Sequence, residues 1–70
     1  SIPEFTEFIE VRDTHGDLIS INVDYIFAVE TNKGKPETTI KIAVQGFNNF
    51  SYQYVNTDIP YDEILAAINS

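Results

Sequence analysis

Apolar and polar positions alternate from the start of the chain. In Phe8-Ile9-Glu10-Val11-Arg12, Ile9 and Val11 fall on one face and Glu10 and Arg12 on the other, the period of a half-buried strand. Asp13-Thr14-His15-Gly16-Asp17 is polar, and Gly16 can supply the positive φ of a tight hairpin. Leu18 to Val23 alternates again, with Ile19, Ile21 and Val23 inward, and Asp24-Tyr25 reads as a bend. Ile26 to Thr31 is rich in the β-branched and aromatic residues that suit a strand. Asn32-Lys33-Gly34-Lys35-Pro36 is a loop. Thr38 to Val44 is the cleanest strand, with Ile40, Ile42 and Val44 on one face. Gln45-Gly46-Phe47-Asn48-Asn49 is a turn. Phe50 to Val55 is a fifth strand whose three aromatics, Phe50, Tyr52 and Tyr54, share one face.

The period then changes from 2 to 3.6. Asp58 is a candidate N-cap, Pro60 suits a first helical turn, and Asp62 and Glu63 suit the positive end of the helix dipole. Tyr61, Ile64, Leu65 and Ile68 form one apolar stripe. So short a helix is marginal alone and must dock; the face carrying Ile19, Ile21, Ile40 and Ile42 is its expected seat. These patterns predict one α+β domain over 1–70. Its strands lie near 7–12, 18–23, 26–31, 38–44 and 50–55, with a helix near 59–69. With tight connections the strands should form a five-stranded antiparallel meander, an open sheet or a small curled barrel, with the C-terminal helix packed on it.

Composition narrows the function. The 70 residues include no Cys, Trp or Met and one His. The lack of thiols removes disulfides and soft metal ligands and fits a cytoplasmic protein. No apolar run approaches the roughly 18 residues of a membrane span, and the first residues do not resemble a signal peptide. The net charge is −7, and Lys33, Lys35 and Lys41 are the main basic cluster. Phosphate neutralisation dominates nucleic-acid affinity, so nucleic acid is not an expected partner, and without an apolar span neither is a membrane. The acidity serves solubility, with a steering surface for a basic partner as the second reading.

The candidates for chemistry are few. Asp13-Thr14-His15-Gly16 resembles the Asp-x-His-Gly opening motif of metallophosphoesterases, but two metals need further His, Asp and Asn ligands and His15 is alone. A polar hairpin tip is the expectation. Asp13, Asp17 and Asp24 lack the spacing and terminal Glu of a calcium loop. Nothing marks Ser20 as an activated nucleophile, and Asp62 and Glu63, being adjacent, point to different sides of their helix. No catalytic residue, metal ligand or cofactor is therefore expected, and the chain is not expected to be an enzyme.

The aromatics Phe47, Phe50, Tyr52 and Tyr54 lack the basic neighbours of a base-stacking surface. Core packing is their expected role, with a protein or carbohydrate contact second. A sheet with one helix leaves a second face, and that face would carry Phe8, Tyr25, Phe27 and Val29 as an interaction surface.

The run Gly16-x-x-Ile19-x-Ile21-Asn22-x-Asp24-x-Ile26-x-x-Val29-Glu30, followed by Thr39-Ile40 and Tyr52-x-Tyr54-Val55, resembles the short FlbD-type flagellar proteins. The same order is similar to the strand region of LytTR-type DNA-binding domains, although their basic residues are missing here. The first resemblance implies a small cytoplasmic accessory protein without catalytic residues. The expectation is a small non-catalytic protein-binding or interaction module that engages a protein partner or a second copy of itself. The alternatives are an accessory domain of a larger protein and a weak ligand- or metal-binding module.

Overall fold

The computed structural model describes residues 7–70. Five strands and one helix follow one another: β1 Phe8–Arg12, β2 Leu18–Asn22, β3 Ile26–Thr31, β4 Thr38–Gln45, β5 Phe50–Thr57 and α1 Tyr61–Ile68. The class is α+β and mostly sheet. The strands form neither the expected single meander nor a closed barrel. β1 and β2 pair as a two-stranded antiparallel sheet, and β3, β4 and β5 as a three-stranded one in that order.

The break falls at the expected bend. Asn22 Oδ1 accepts a hydrogen bond from the Asp24 N–H at 2.9 Å, and Val23–Tyr25 close into a 3-10 turn. Such a turn spends backbone groups on local i→i+3 bonds, so β3 departs without forming a ladder with β2. The two sheets are joined elsewhere. The Thr14 N–H donates to the Asn56 carbonyl at 3.0 Å, and Thr57 Oγ1 donates to the Arg12 carbonyl at 2.8 Å. Both bonds tie the C-terminal end of β1 and its loop to the C-terminal end of β5.

The core draws on both sheets and the helix. Ile9, Val11, Ile21, Ile40, Val55 and Ile64 are buried together, and Ile19, Val23, Ile26, Val29, Ile42, Ile59, Ala67 and Ile68 pack against them. Ile21 and Ile40 are thus where the alternation places them, with Ile19 and Ile42 at the margin. Two fully buried threonines hold the chain that leads into the helix. Thr38 Oγ1 donates to the Ile59 carbonyl at 2.6 Å, and Thr57 Oγ1 accepts from the Ile59 N–H at 3.1 Å.

The helix is shorter than expected. Its N-cap is Pro60, without a side-chain cap, and Asp58 lies outside it. Asp62 and Glu63 do occupy the first turn. The core-facing stripe is Ile64, Ala67 and Ile68, and Tyr61 and Leu65 are half-buried outside the core cluster. Ala67 thus takes the inward place that the stripe assigned to Leu65. The Cα radius of gyration is 12.9 Å, against about 11 Å for a compact chain of this length. The excess fits the long β4–β5 hairpin, whose turn carries the nearly fully exposed Phe47.

Candidate interaction surface

The core face of the three-stranded sheet decides what its outer face shows. Ile40 pairs with Val29 on one side and Val55 on the other, and all three point to the core side. Successive side chains alternate between faces, so Glu30, Thr39, Lys41, Ala43, Phe50, Tyr52, Tyr54 and Asn56 point outward. The aromatic face of β5 is therefore solvent-facing, which overturns the core role expected for Phe50, Tyr52 and Tyr54. These are 74%, 52% and 55% exposed. The reason is register: Val55 and Thr57 take the inward positions, and a one-residue slip would exchange the faces.

Cross-strand rows grade this face from polar to aromatic. At one end, Asn32 Nδ2 donates to Thr39 Oγ1 at 2.6 Å, and Thr39 Oγ1 donates to Asn56 Oδ1 at 2.9 Å. In the next row Lys41 forms an ion pair with Glu30 at 2.9 Å, and its Nζ stands 5.3 Å from the Tyr54 ring centroid and 6.0 Å from that of Tyr52. Those distances lie within cation–π range. The Tyr52 and Tyr54 rings are stacked, 5.5 Å apart and 3° from parallel. Beyond them, Phe27 meets Tyr52 edge to face at 5.1 Å.

Phe27 reaches that position through an irregularity. The β3–β4 register shifts between Ile26 and Ala28, a bulge at Phe27 that re-aims its side chain. Across β4, Ala43 is the register partner of Tyr52. Its methyl group is small enough for the two rings to meet above it.

The electrostatics follow from these contacts. The hydrogen bond to Glu30 and its charge hold the Lys41 ammonium above its usual pKa. Side-chain hydrogen bonding with Tyr52, then desolvation, raise the Tyr54 phenol above its ordinary value.

The four residues expected to share a surface do not all share one. Phe27 lies on the aromatic outer face, whereas Val29 packs against the core. Phe8 is exposed on the other sheet, and Tyr25 is exposed in the 3-10 turn. Tyr25 borders a hollow of about 430 Å³ with Ile42, Ala43, Val44 and Phe50. Tyr52 and Tyr54 were not expected at the surface. One signal for them exists in the chain: from Ile42 to Thr57 it carries no charged residue, its longest such stretch.

The Asp-x-His-Gly segment forms a hairpin tip. Asp13 Oδ1 accepts from the N–H groups of His15 and Asp17, both at 2.9 Å, and Gly16 sits at φ 91°. Arg12 Nη1 donates to the Gly16 carbonyl at 2.7 Å. Asp13 is thus engaged in shaping its own turn, and His15 is exposed. Among the described residues, no three His, Cys, Asp or Glu side chains gather as a metal site requires. No helix among them is long and apolar enough to cross a membrane. No protein-family model, no curated protein and no solved structure matches the chain.

Proposed function

We propose that the chain is a non-catalytic interaction module whose contact surface is the outer face of the three-stranded sheet, centred on Phe27, Tyr52 and Tyr54. The supporting observation is the exposed aromatic row itself. Side chains of this size are normally buried, contiguous apolar patches mark contact sites, and Tyr and Phe are enriched at interface centres. The rings are already packed on one another, so a partner would meet a preorganised surface and little side-chain entropy would be lost on binding. Lys41 and Glu30 at the margin supply a polar rim. The FlbD-type resemblance, which implies an accessory protein, agrees with a binding role.

A photo-crosslinking side chain at position 54 tests this in the cells that make the protein. A discrete adduct is expected from position 54 and none from a matched probe at Glu63, which is exposed on α1. Equal labelling from both positions would defeat the assignment of this face.

A second reading, a ligand-binding module, is supported by the hollow bordered by Tyr25 and Phe50. Its volume lies within the usual range for small-molecule sites, about 300–1,000 Å³. A small-molecule screen followed by amide shifts at Ala43 and Val44 checks it.

A further inference from the structure

We infer that β5 is the edge through which this chain pairs with a second copy of itself, β5 against β5, antiparallel about a twofold axis. The inference rests on the interaction-module reading and names its partner. The Gly46 N–H donates to the Asn49 carbonyl at 2.7 Å, which makes that pair a hydrogen-bonded one. Bonded and non-bonded pairs alternate along an antiparallel ladder. With Gln45 opposite Phe50, the next bonded pairs are Val44 with Ser51, Ile42 with Gln53 and Ile40 with Val55. The backbone groups of Phe50, Tyr52, Tyr54 and Asn56 therefore point away from β4. The bond from Thr14 to the Asn56 carbonyl obeys that parity. Among the described residues, no backbone hydrogen bond from another element reaches Phe50, Tyr52 or Tyr54.

Open edges are usually guarded by charge, proline, bulges or a covering element. The other edge of this sheet has such guards: β3 carries the bulge at Phe27 and the charge of Glu30, and α1 lies against it. Among the described residues, the stretch of β5 from Phe50 to Tyr54 has none of them. Its register runs without a shift, it contains no proline and no charge, and from Phe50 to Tyr54 it is exposed on both faces.

Charge selects the occupant. Each copy carries −7. A twofold axis sets a surface patch against itself, and like charges directly opposed across strands are destabilising. Self-pairing therefore needs a neutral strip, and Ile42 to Thr57 is the longest one in the chain. A basic partner would instead be drawn to the acids elsewhere. Pairing centred on Tyr52 sets Phe50 opposite Tyr54 of the second copy, merges the two aromatic faces, and stops where Thr14 covers Asn56.

Sedimentation velocity of the whole chain across a dilution series, with amide exchange at each concentration, tests the pairing. The expected result is twice the chain mass at high micromolar concentration, falling to the chain mass on dilution. The Tyr52 and Tyr54 amides should exchange more slowly in the heavier species. Tyr52→Pro removes an outward N–H without touching the ladder to β4, and Tyr52→Lys sets a charge against itself. Both should be monomeric at every concentration with an unchanged circular dichroism spectrum. The exchange measurement needs no variant, so a Tyr52→Pro chain that fails to fold leaves the test intact. A constant monomer mass overturns the inference, as does a dimer whose Tyr52 and Tyr54 amides exchange at the monomer rate, or a mass that grows without limit. A monomer that still gives a discrete adduct of another mass from position 54 removes the self-pairing and leaves the interaction reading. A monomer without an adduct removes both.

Discussion

Phe27 and Tyr52 meet edge to face, with ring centroids 5.1 Å apart and planes at 67°, although their strands are not neighbours. β4 runs between them. The contact depends on two local features, the bulge that turns Phe27 outward and the small side chain of Ala43 beneath. It joins β3 to β5 across the sheet in a way no backbone bond does.

That contact has a measurable coupling. In a double-mutant cycle, Phe27→Ala and Tyr52→Ala should interact by about 0.5 kcal/mol, the low end for aromatic pairs because both rings are half exposed. Urea unfolding of the four chains measures it, and strictly additive losses would show that the rings do not stabilise one another. Ala43→Leu should disturb the same pair by filling the space below it.

Thr57 joins the two sheets and the approach to the helix through one hydroxyl. It donates to the Arg12 carbonyl and accepts from the Ile59 N–H, and the residue is fully buried. Thr57→Val keeps the shape and leaves both partners unsatisfied, which should cost about 1–3 kcal/mol. An unchanged denaturation midpoint would mean that water or a rearranged loop replaces the hydroxyl.

Two neighbouring helix positions should differ sharply. Ile64 is 2% exposed and lies in the core cluster, while Leu65 is half-buried beside it. Ile64→Ala should cost about 2–5 kcal/mol, enough to unfold much of a domain this small. Leu65→Ala should cost clearly less. Equal losses, read from thermal melts, would place the stripe one residue away from Ala67.

The stability of the aromatic face should fall at alkaline pH. Lys41 and Tyr54 both have folded-state pKa values raised above their ordinary 10.5 and 10.0. For each, the folded chain holds a proton more tightly than the unfolded one. Their contribution is then constant at neutral pH and declines once the pH passes the unfolded values. The Tyr54 phenol should ionise late when followed by tyrosinate absorbance, and Tyr52→Phe should bring its titration back toward the usual value. A Tyr54 titration unaffected by Tyr52→Phe would remove Tyr52 as the cause.

Alternation in the chain was enough to find the strands. Ile9 with Val11, and Ile40 with Ile42 and Val44, recur every second residue, and each run became a strand in the place expected. The change of period after Thr57 marked the helix, and Gly16 marked the first hairpin. These features are local: side-chain spacing and turn chemistry act over a few residues and leave their imprint on any stretch that obeys them. The faces were not local. β5 offers aromatics on one parity and Val55 with Thr57 on the other, and either parity is apolar enough to be buried. The inward choice was made by Ile40 opposite Val55 and by Thr57 bonding to Arg12, a residue from the first hairpin. The outward turn of Phe27 came from a register shift against β4, and the separation of the sheets from a 3-10 turn where Val23 had continued the strand pattern. The chain by itself determined which segments extend and which coil. Only the tertiary structure decided which side of each is wet, because a strand's two faces differ by one residue of register and that register is set by contacts from distant parts of the chain.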